Sequence, residues 1–294
     1  MVSAVIHAPS FDFDDDKFKA PASEVLPWCQ MINPQWGENG LKPYGLAITQ
    51  ENANLVGFTP DENWQQVEYT FGSGEIVQLF ITTTPQLLVL HRGPVCIKDR
   101  TTNTTLGRLV DHYDAFTSEK LKYKTFTRYL VFLVGKNQKL LHHSPLRLTL
   151  SGAAGASFST AFRTSKNGQV TSGFTLELEK AYAAFRQQPL TAKSGLFHAH
   201  GVFCPTITSE ERGVASNKAL VAVTVDYKHP TAENLVDYLI PINSEASTVI
   251  CHTFETYKDF AKEQPKLEVA AIPEIEEANE PERFDEYDFD AAPY

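Results

Sequence analysis

Gln66-Val67-Glu68-Tyr69-Thr70-Phe71-Gly72-Ser73-Gly74-Glu75-Ile76-Val77-Gln78-Leu79-Phe80-Ile81-Thr82 holds two β-rich runs on either side of a Gly-Ser-Gly turn. β-Branched and aromatic side chains fit a pleated surface, and glycine supplies the positive φ that a tight turn demands, so the stretch predicts a hairpin pairing 66–71 with 76–82. The same signature recurs outward in both directions. Strands are expected over 28–32, 44–48, 87–96, 129–134 and 146–150. Asn33-Pro34 and Gly37-Glu38-Asn39-Gly40 form turn and loop, and Gly135-Lys136-Asn137-Gln138 is a second hairpin candidate. Many short strands joined by turn chemistry point to a barrel or sandwich.

The second half is mixed. Phe174, Leu178, Ala181, Tyr182 and Phe185 recur at helical spacing, which predicts a helix over 175–188 ended by Pro189. Strands are expected at 196–203 and 219–227. A last helix carries Val249, Ile250, Phe254, Tyr257 and Phe260. The fold class is thus mainly β with a few helices (α+β), the body being an OB-like barrel or sandwich between disordered acidic tails. Its segments are an acidic N-terminal stretch, 1–20, a β-rich body, 21–262, and an acidic tail, 263–294. A boundary inside the body would fall near 151–155, where Gly152-Ala153-Ala154-Gly155-Ala156-Ser157 suits a hinge, a strand bend or two closely approaching backbones.

Charge is segregated along the chain. The formal net charge is -10, yet residues 263–294 alone hold eleven acids against Lys266 and Arg283. Asp12, Asp14, Asp15 and Asp16 form a second acidic knot, which leaves residues 17–262 with 21 acids against 24 bases. The mildly basic body suits an attraction for phosphate, and the tails suit other partners. No apolar run approaches the ~20 residues that span a membrane, and the start of the chain lacks a charged lead and long hydrophobic stretch. Cys29, Cys96, Cys204 and Cys251 are widely spaced, as expected of thiols in a reducing compartment. A cytoplasmic location without membrane contact is expected.

Lys120-Leu121-Lys122-Tyr123-Lys124-Thr125-Phe126-Thr127-Arg128-Tyr129 is the strongest basic signal in the body. On a strand, Lys122, Lys124, Phe126 and Arg128 share one face, a cationic surface with a ring in it. Such a surface suits single-stranded nucleic acid, the cations holding phosphates while the ring stacks on a base. An edge strand guarded by lysines would have the same composition. Lys136, Lys139, His142, His143 and Arg147 extend the track, and Arg92, Lys98, Arg100 and Arg108 form a second basic zone, from which Arg92 and Arg100 are taken as phosphate contacts.

Catalytic signals are absent. There is no nucleophile elbow, no paired metalloprotease histidines and no dinucleotide fingerprint, and the 152–157 run lacks the Gly-Lys-Ser/Thr ending of a phosphate-binding loop. His198-Ala199-His200 with Cys204 presents metal-ligand types, but no second ligand pair accompanies them. No cofactor, metal or catalytic residue is expected.

The end of the chain, Asp285-Glu286-Tyr287-Asp288-Phe289-Asp290-Ala291-Ala292-Pro293-Tyr294, is acidic, studded with rings and closes on Pro-Tyr. This tip resembles that of bacterial single-stranded DNA-binding proteins, in which an extended linker leads to acidic and aromatic residues and then proline and a terminal ring. Ala291-Ala292 and the final Tyr depart from that pattern. The resemblance implies that Pro293 and Tyr294 fill an apolar pocket on a replication or repair enzyme while Asp288 and Asp290 meet its basic rim, Asp285 adding charge and Phe289 counting among the partner-binding residues. Phe11-Asp12-Phe13-Asp14-Asp15-Asp16 echoes this chemistry, either as a nucleic-acid mimic folding back over a basic groove or as a polar chain start. Pro145-Leu146-Arg147-Leu148-Thr149-Leu150-Ser151-Gly152 is similar to an uncharacterised cyanobacterial family, which implies no activity. The leading expectation is a non-enzymatic protein of bacterial or phage replication that coats single-stranded DNA, with RNA and self-association left open. The alternative is a protein-interaction adaptor with an acidic tail and no nucleic-acid binding.

Overall fold

The computed structural model describes residues 26–260 apart from 38–39, 72–73, 167–168 and 213–217. The disorder expected at 1–20 and 263–294 therefore falls outside the described residues. In chain order the elements are β1 Trp28–Ile32, β2 Trp36–Gly37, β3 Gly40–Leu41, β4 Gly45–Thr49, α1 Gln50–Val56, β5 Gln65–Thr70, β6 Ile76–Thr82, β7 Leu87–Asp99 and β8 Thr105–Arg108. Then follow α2 Tyr113–Ser118, β9 Tyr123–Leu133, β10 Leu146–Ser151, α3 Gly152–Phe162, β11 Thr164–Lys166, β12 Gln169–Ser172, α4 Phe174–Phe185, α5 Gly195–Ala199, β13 Val202–Phe203, β14 Pro205–Arg212, β15 Ala219–Tyr227 and α6 Glu245–Thr256.

The expected hairpin closes as β5 against β6, with Thr70 opposite Ile76. It forms one end of a nine-stranded sheet ordered β13-β7-β9-β10-β1-β4-β6-β5, with β8 also on β7. Neighbours are antiparallel except β1 and β10, which run parallel. Among the described residues no pairing joins β13 to β5, so the strands form an open mixed sheet with helices. Gly45 makes the β4 entry possible: its φ is +126°, and a Cβ there would strike the Thr82 carbonyl oxygen on β6.

Three sequence expectations are corrected here. Residues 196–203 are not a strand: Ser194 accepts a hydrogen bond from the Phe197 amide and caps α5, leaving only Val202 and Phe203 to pair with β7. The 152–157 run, read as a hinge, a strand bend or a close approach of backbones, is the start of α3, where a side chain at Gly155 would press on the Leu150 carbonyl oxygen at 3.0 Å. Lys120, Leu121 and Lys122 lie in a turn before β9, which begins at Tyr123. The expected helix appears as α4, and the junction near 151–155 is where β10 passes directly into α3.

One face of the sheet carries the larger core. Tyr129 on β9 meets Phe158 of α3 edge-on at 5.1 Å, and Phe158, Phe162 and Phe174 all pack around Phe203 at 5.2 to 5.4 Å. The other face has a smaller cluster of Ile32, Ala47, Tyr69, Phe71, Leu79 and Ile81. Beyond the end of β9, His142 is buried and its Nε2 accepts the Leu133 amide at 2.8 Å, so Nδ1 carries the proton and donates to the Ser144 carbonyl at 2.6 Å. Burial lowers its pKa to about 4.

That arrangement fixes the sign of a pH effect. Because the folded-state pKa lies below the unfolded value of 6.5, the unfolded chain takes up the proton first and stability falls as pH drops from 6.5 toward 4. Urea denaturation should show a loss of up to about 3 kcal/mol across this window attributable to this group. A His142→Asn variant should be less stable at pH 7.5 and show a flatter acid limb.

Candidate nucleic-acid interface

The ladder register decides which cations meet. On β7 and β9, Lys98 stands opposite Lys124 and Cys96 opposite Phe126. On β9 and β10, Phe126 faces Ser151, Arg128 faces Thr149, and Leu130 faces Arg147. On β10 and β1, Arg147 faces Trp28 and Thr149 faces Gln30. Directly opposed residues point to the same side of a sheet. Lys98, Lys124, Arg128 and Arg147 therefore share one face across three strands, with Trp28 and Gln30 of a fourth beside them.

Phe126 occupies the middle of this face, but it is not an exposed stacking ring. It is 4% exposed. The Arg128 guanidinium lies 5.3 Å from its centroid and the Lys98 ammonium 5.9 Å. The ring acts as a floor whose negative π-face supports two cations. Lys98 is itself buried, an unusual place for a lysine.

The remaining expected contacts divide. Arg100 sits at the β9 entrance, its Nε donating to the Tyr123 carbonyl at 3.1 Å and its amide to the Lys122 carbonyl at 2.8 Å. Lys122 pairs with Glu119 at 2.9 Å, and this hydrogen-bonded carboxylate raises its ammonium pKa. Lys120 is exposed in the same turn. These three crowd the end of the face nearest Lys98 and Lys124.

Arg92 does not belong to that face. It stands opposite Tyr129, which packs on α3, and its field reaches Arg163 just beyond that helix. Lys136 and Lys139 lie past the far end of β9, roughly 35 Å from Lys124 by strand rise. Lys136 pairs with Glu62 there. The tip residues Asp285, Asp288, Phe289, Asp290, Pro293 and Tyr294 lie outside the described residues.

Sequence reading missed an exposed ring. Trp36 on β2 is 74% exposed, opposite Leu41 on β3. Lys42, next along from Leu41, holds its ammonium 5.7 Å over the Tyr69 ring, and Tyr69 belongs to the small cluster on the cationic side of the sheet. A tryptophan inside a Pro- and Gly-rich turn was the available signal.

The histidines serve the fold. His198 bonds to buried Glu179 at 2.8 Å, whose carboxylate also accepts the Lys193 amide at 2.9 Å. The His200 ring lies 2.8 Å from the Leu196 carbonyl through Nδ1 and 2.9 Å from Ser247 Oγ through Nε2. A Ser-His contact of this kind resembles a catalytic dyad, but Ser247 is 3% exposed and has no face open to a substrate. Among the described residues no group of three metal-ligating side chains gathers. Burial pushes the Cys204 thiol up to about 11, the reverse of an activated nucleophile. Among the described residues no helix is long and apolar enough to cross a membrane.

These features define a mixed α+β protein with a cationic sheet face. The chain belongs to the family described as a domain of unknown function, DUF5895, whose model matches residues 23–273. No curated protein and no solved structure matches it.

The burial of Phe126 has a measurable consequence. Phe126→Ala should destabilise the protein by about 3–5 kcal/mol, as expected for a cavity beneath packed side chains. Urea unfolding checks this, whereas a surface stacking ring would leave the midpoint nearly unchanged.

Proposed function

We propose that this protein binds single-stranded nucleic acid without reading its sequence, and that its acidic C-terminal tip recruits a replication or repair partner. The observation that supports this most is the placement of Lys98, Lys124, Arg128 and Arg147 on one sheet face, extended by Arg100 and Lys120 at its end. Cations fixed on a rigid ladder hold phosphates without the entropy cost of ordering a loop. In this proposal the cationic sheet takes the role assigned above to an OB-like barrel. Trp36, not Phe126, supplies the stacking ring, since its indole is exposed and the Phe126 ring is buried. DNA is the expected strand, in the cytoplasm, and the same contacts admit RNA.

Salt and mutation test the reading together. A variant combining Lys124→Glu, Arg128→Glu and Arg147→Glu should bind oligo-dT at least tenfold more weakly. Neutralising three phosphate contacts should also flatten the slope of log affinity against log salt by about 2. Trp36→Ala should weaken binding by about 1–3 kcal/mol at any salt concentration. Removing residues 283–294 should preserve or strengthen binding. Absence of oligo-dT binding by the unmodified protein in 20 mM salt would favour the adaptor reading.

A further inference from the structure

Arg92 lies on the α3 side of the sheet, where a second arginine joins it. The β7 ladder slips on both sides of His91 and Arg92, between Val89 and His91 and again before Val95. Without the first slip Arg92 would stand opposite Arg128 on the cationic face; with it, Arg92 stands opposite Tyr129. Bulges that re-aim a side chain are common beside binding and active sites. The Tyr129 ring packs edge-on against Phe158, and Phe158 stacks at 6.4 Å on Phe162, one turn further along α3. Arg163 comes next, at the end of that helix.

Arg163 is held from two directions. Its Nε is buried. Gly173, at a φ of +97°, lets the start of α4 press on its backbone, where a Cβ would come within 2.9 Å of the Arg163 nitrogen. Neither arginine is neutralised. Among the described residues no carboxylate pairs with the Arg92 or the Arg163 guanidinium, and the Arg163 Nε has no hydrogen-bond partner. Glu179 is the acid whose field reaches Arg163. It is only 5% exposed, and its Oε1 is already taken by the Lys193 amide at 2.9 Å and by His198 at 2.8 Å. Burial lowers the His198 pKa, so that ring adds no charge at neutral pH. Burial and the Arg92 charge together lower the Arg163 pKa, so its surroundings disfavour the cation as they stand. Two half-buried guanidiniums set against one carboxylate leave a surplus of positive charge. An oxyanion between them removes the repulsion and accepts the parallel N–H groups that a guanidinium fork presents.

We propose that Arg92 and Arg163 form a binding site for a small oxyanion of the phosphate class, either free phosphate or a phosphomonoester. The site lies on the side of the sheet away from Lys124 and Arg128, and it does not rest on the nucleic-acid reading above. Two charge-assisted contacts of this kind suit a dissociation constant of about a millimolar.

Isothermal titration and thermal melts of the full chain test the site, with inorganic phosphate and ribose 5-phosphate as separate probes against sodium chloride of equal ionic strength. The natural chain should bind at least one probe saturably, and a roughly tenfold excess over the dissociation constant should raise its melting temperature by about 3 °C or more. Binding of the ester alone assigns an organic phosphate, and binding of inorganic phosphate assigns the free ion. Arg92→Glu places a carboxylate beside Arg163 in the anion's stead. It should weaken binding at least tenfold and, in chloride alone, melt no lower than the natural chain. Arg163→Gln should weaken binding to the same degree, and if that variant does not fold, Arg92→Glu decides. The proposal is overturned by absence of saturable binding of either probe, by binding that survives in Arg92→Glu, or by an Arg92→Glu chain that melts well below the natural one.

Discussion

The pairing of β7 with β9 decides which side of the sheet Arg92, Lys98, Lys124 and Arg128 take. These are the longest strands of the sheet, and their ladder runs from Leu87 opposite Leu133 to Asp99 opposite Tyr123. The ladder slips by one residue between Arg92 and Val95, where Gly93 and Pro94 lie. Proline has no N–H to give a ladder, and a bulge is where a sheet tolerates it. Because side chains alternate with a period of two, a one-residue slip exchanges faces for everything beyond it. Without the bulge Lys98 would oppose Tyr123 and point with Tyr129 toward α3. With it, Lys98 stands opposite Lys124 beside Phe126, and Arg92 lies on the opposite side with Tyr129.

Phe126 is the second link in this arrangement. Removing its ring from water contributes apolar stabilisation, and the two cations above it retain favourable electrostatics with the π-face while their surroundings dry out. Arg128 and Lys98 are thereby held in a fixed arrangement. Preorganised charge binds an anion more tightly than the same charge on a mobile loop, because less side-chain freedom is lost on contact. The ring thus acts as a support for Lys98 and Arg128.

The distribution of charge along the chain supports the same physical picture. A sequence pI near 5.4 suggests a protein that repels nucleic acid, yet the acids are concentrated in the two ends and the cations gather on one sheet face. Net charge alone misjudges such a chain, since the sign relevant to a partner is that of the surface it meets.

Much of the sheet was readable from residues alone. Strong alternation and turn chemistry bounded β1, β6 and β15 to the residue, and five apolar positions at helical spacing marked α4. The cationic character of 120–129 was equally plain. What could not be read was which side each cation took. Lys98 joined Lys124 only through the bulge at Arg92–Val95 and a partner strand that no local pattern names, and Phe126 was buried between β7 and β10. The short helices α3 and α5 escaped for a related reason: glycine and alanine give weak periodicity, and a five-residue helix is stabilised by its cap and packing. Local pattern determined where strands lie and which residues carry charge, because propensity and alternation act over a few neighbours. Register, burial and the meeting of charges were decided by tertiary structure, because they depend on pairing between segments distant in the chain.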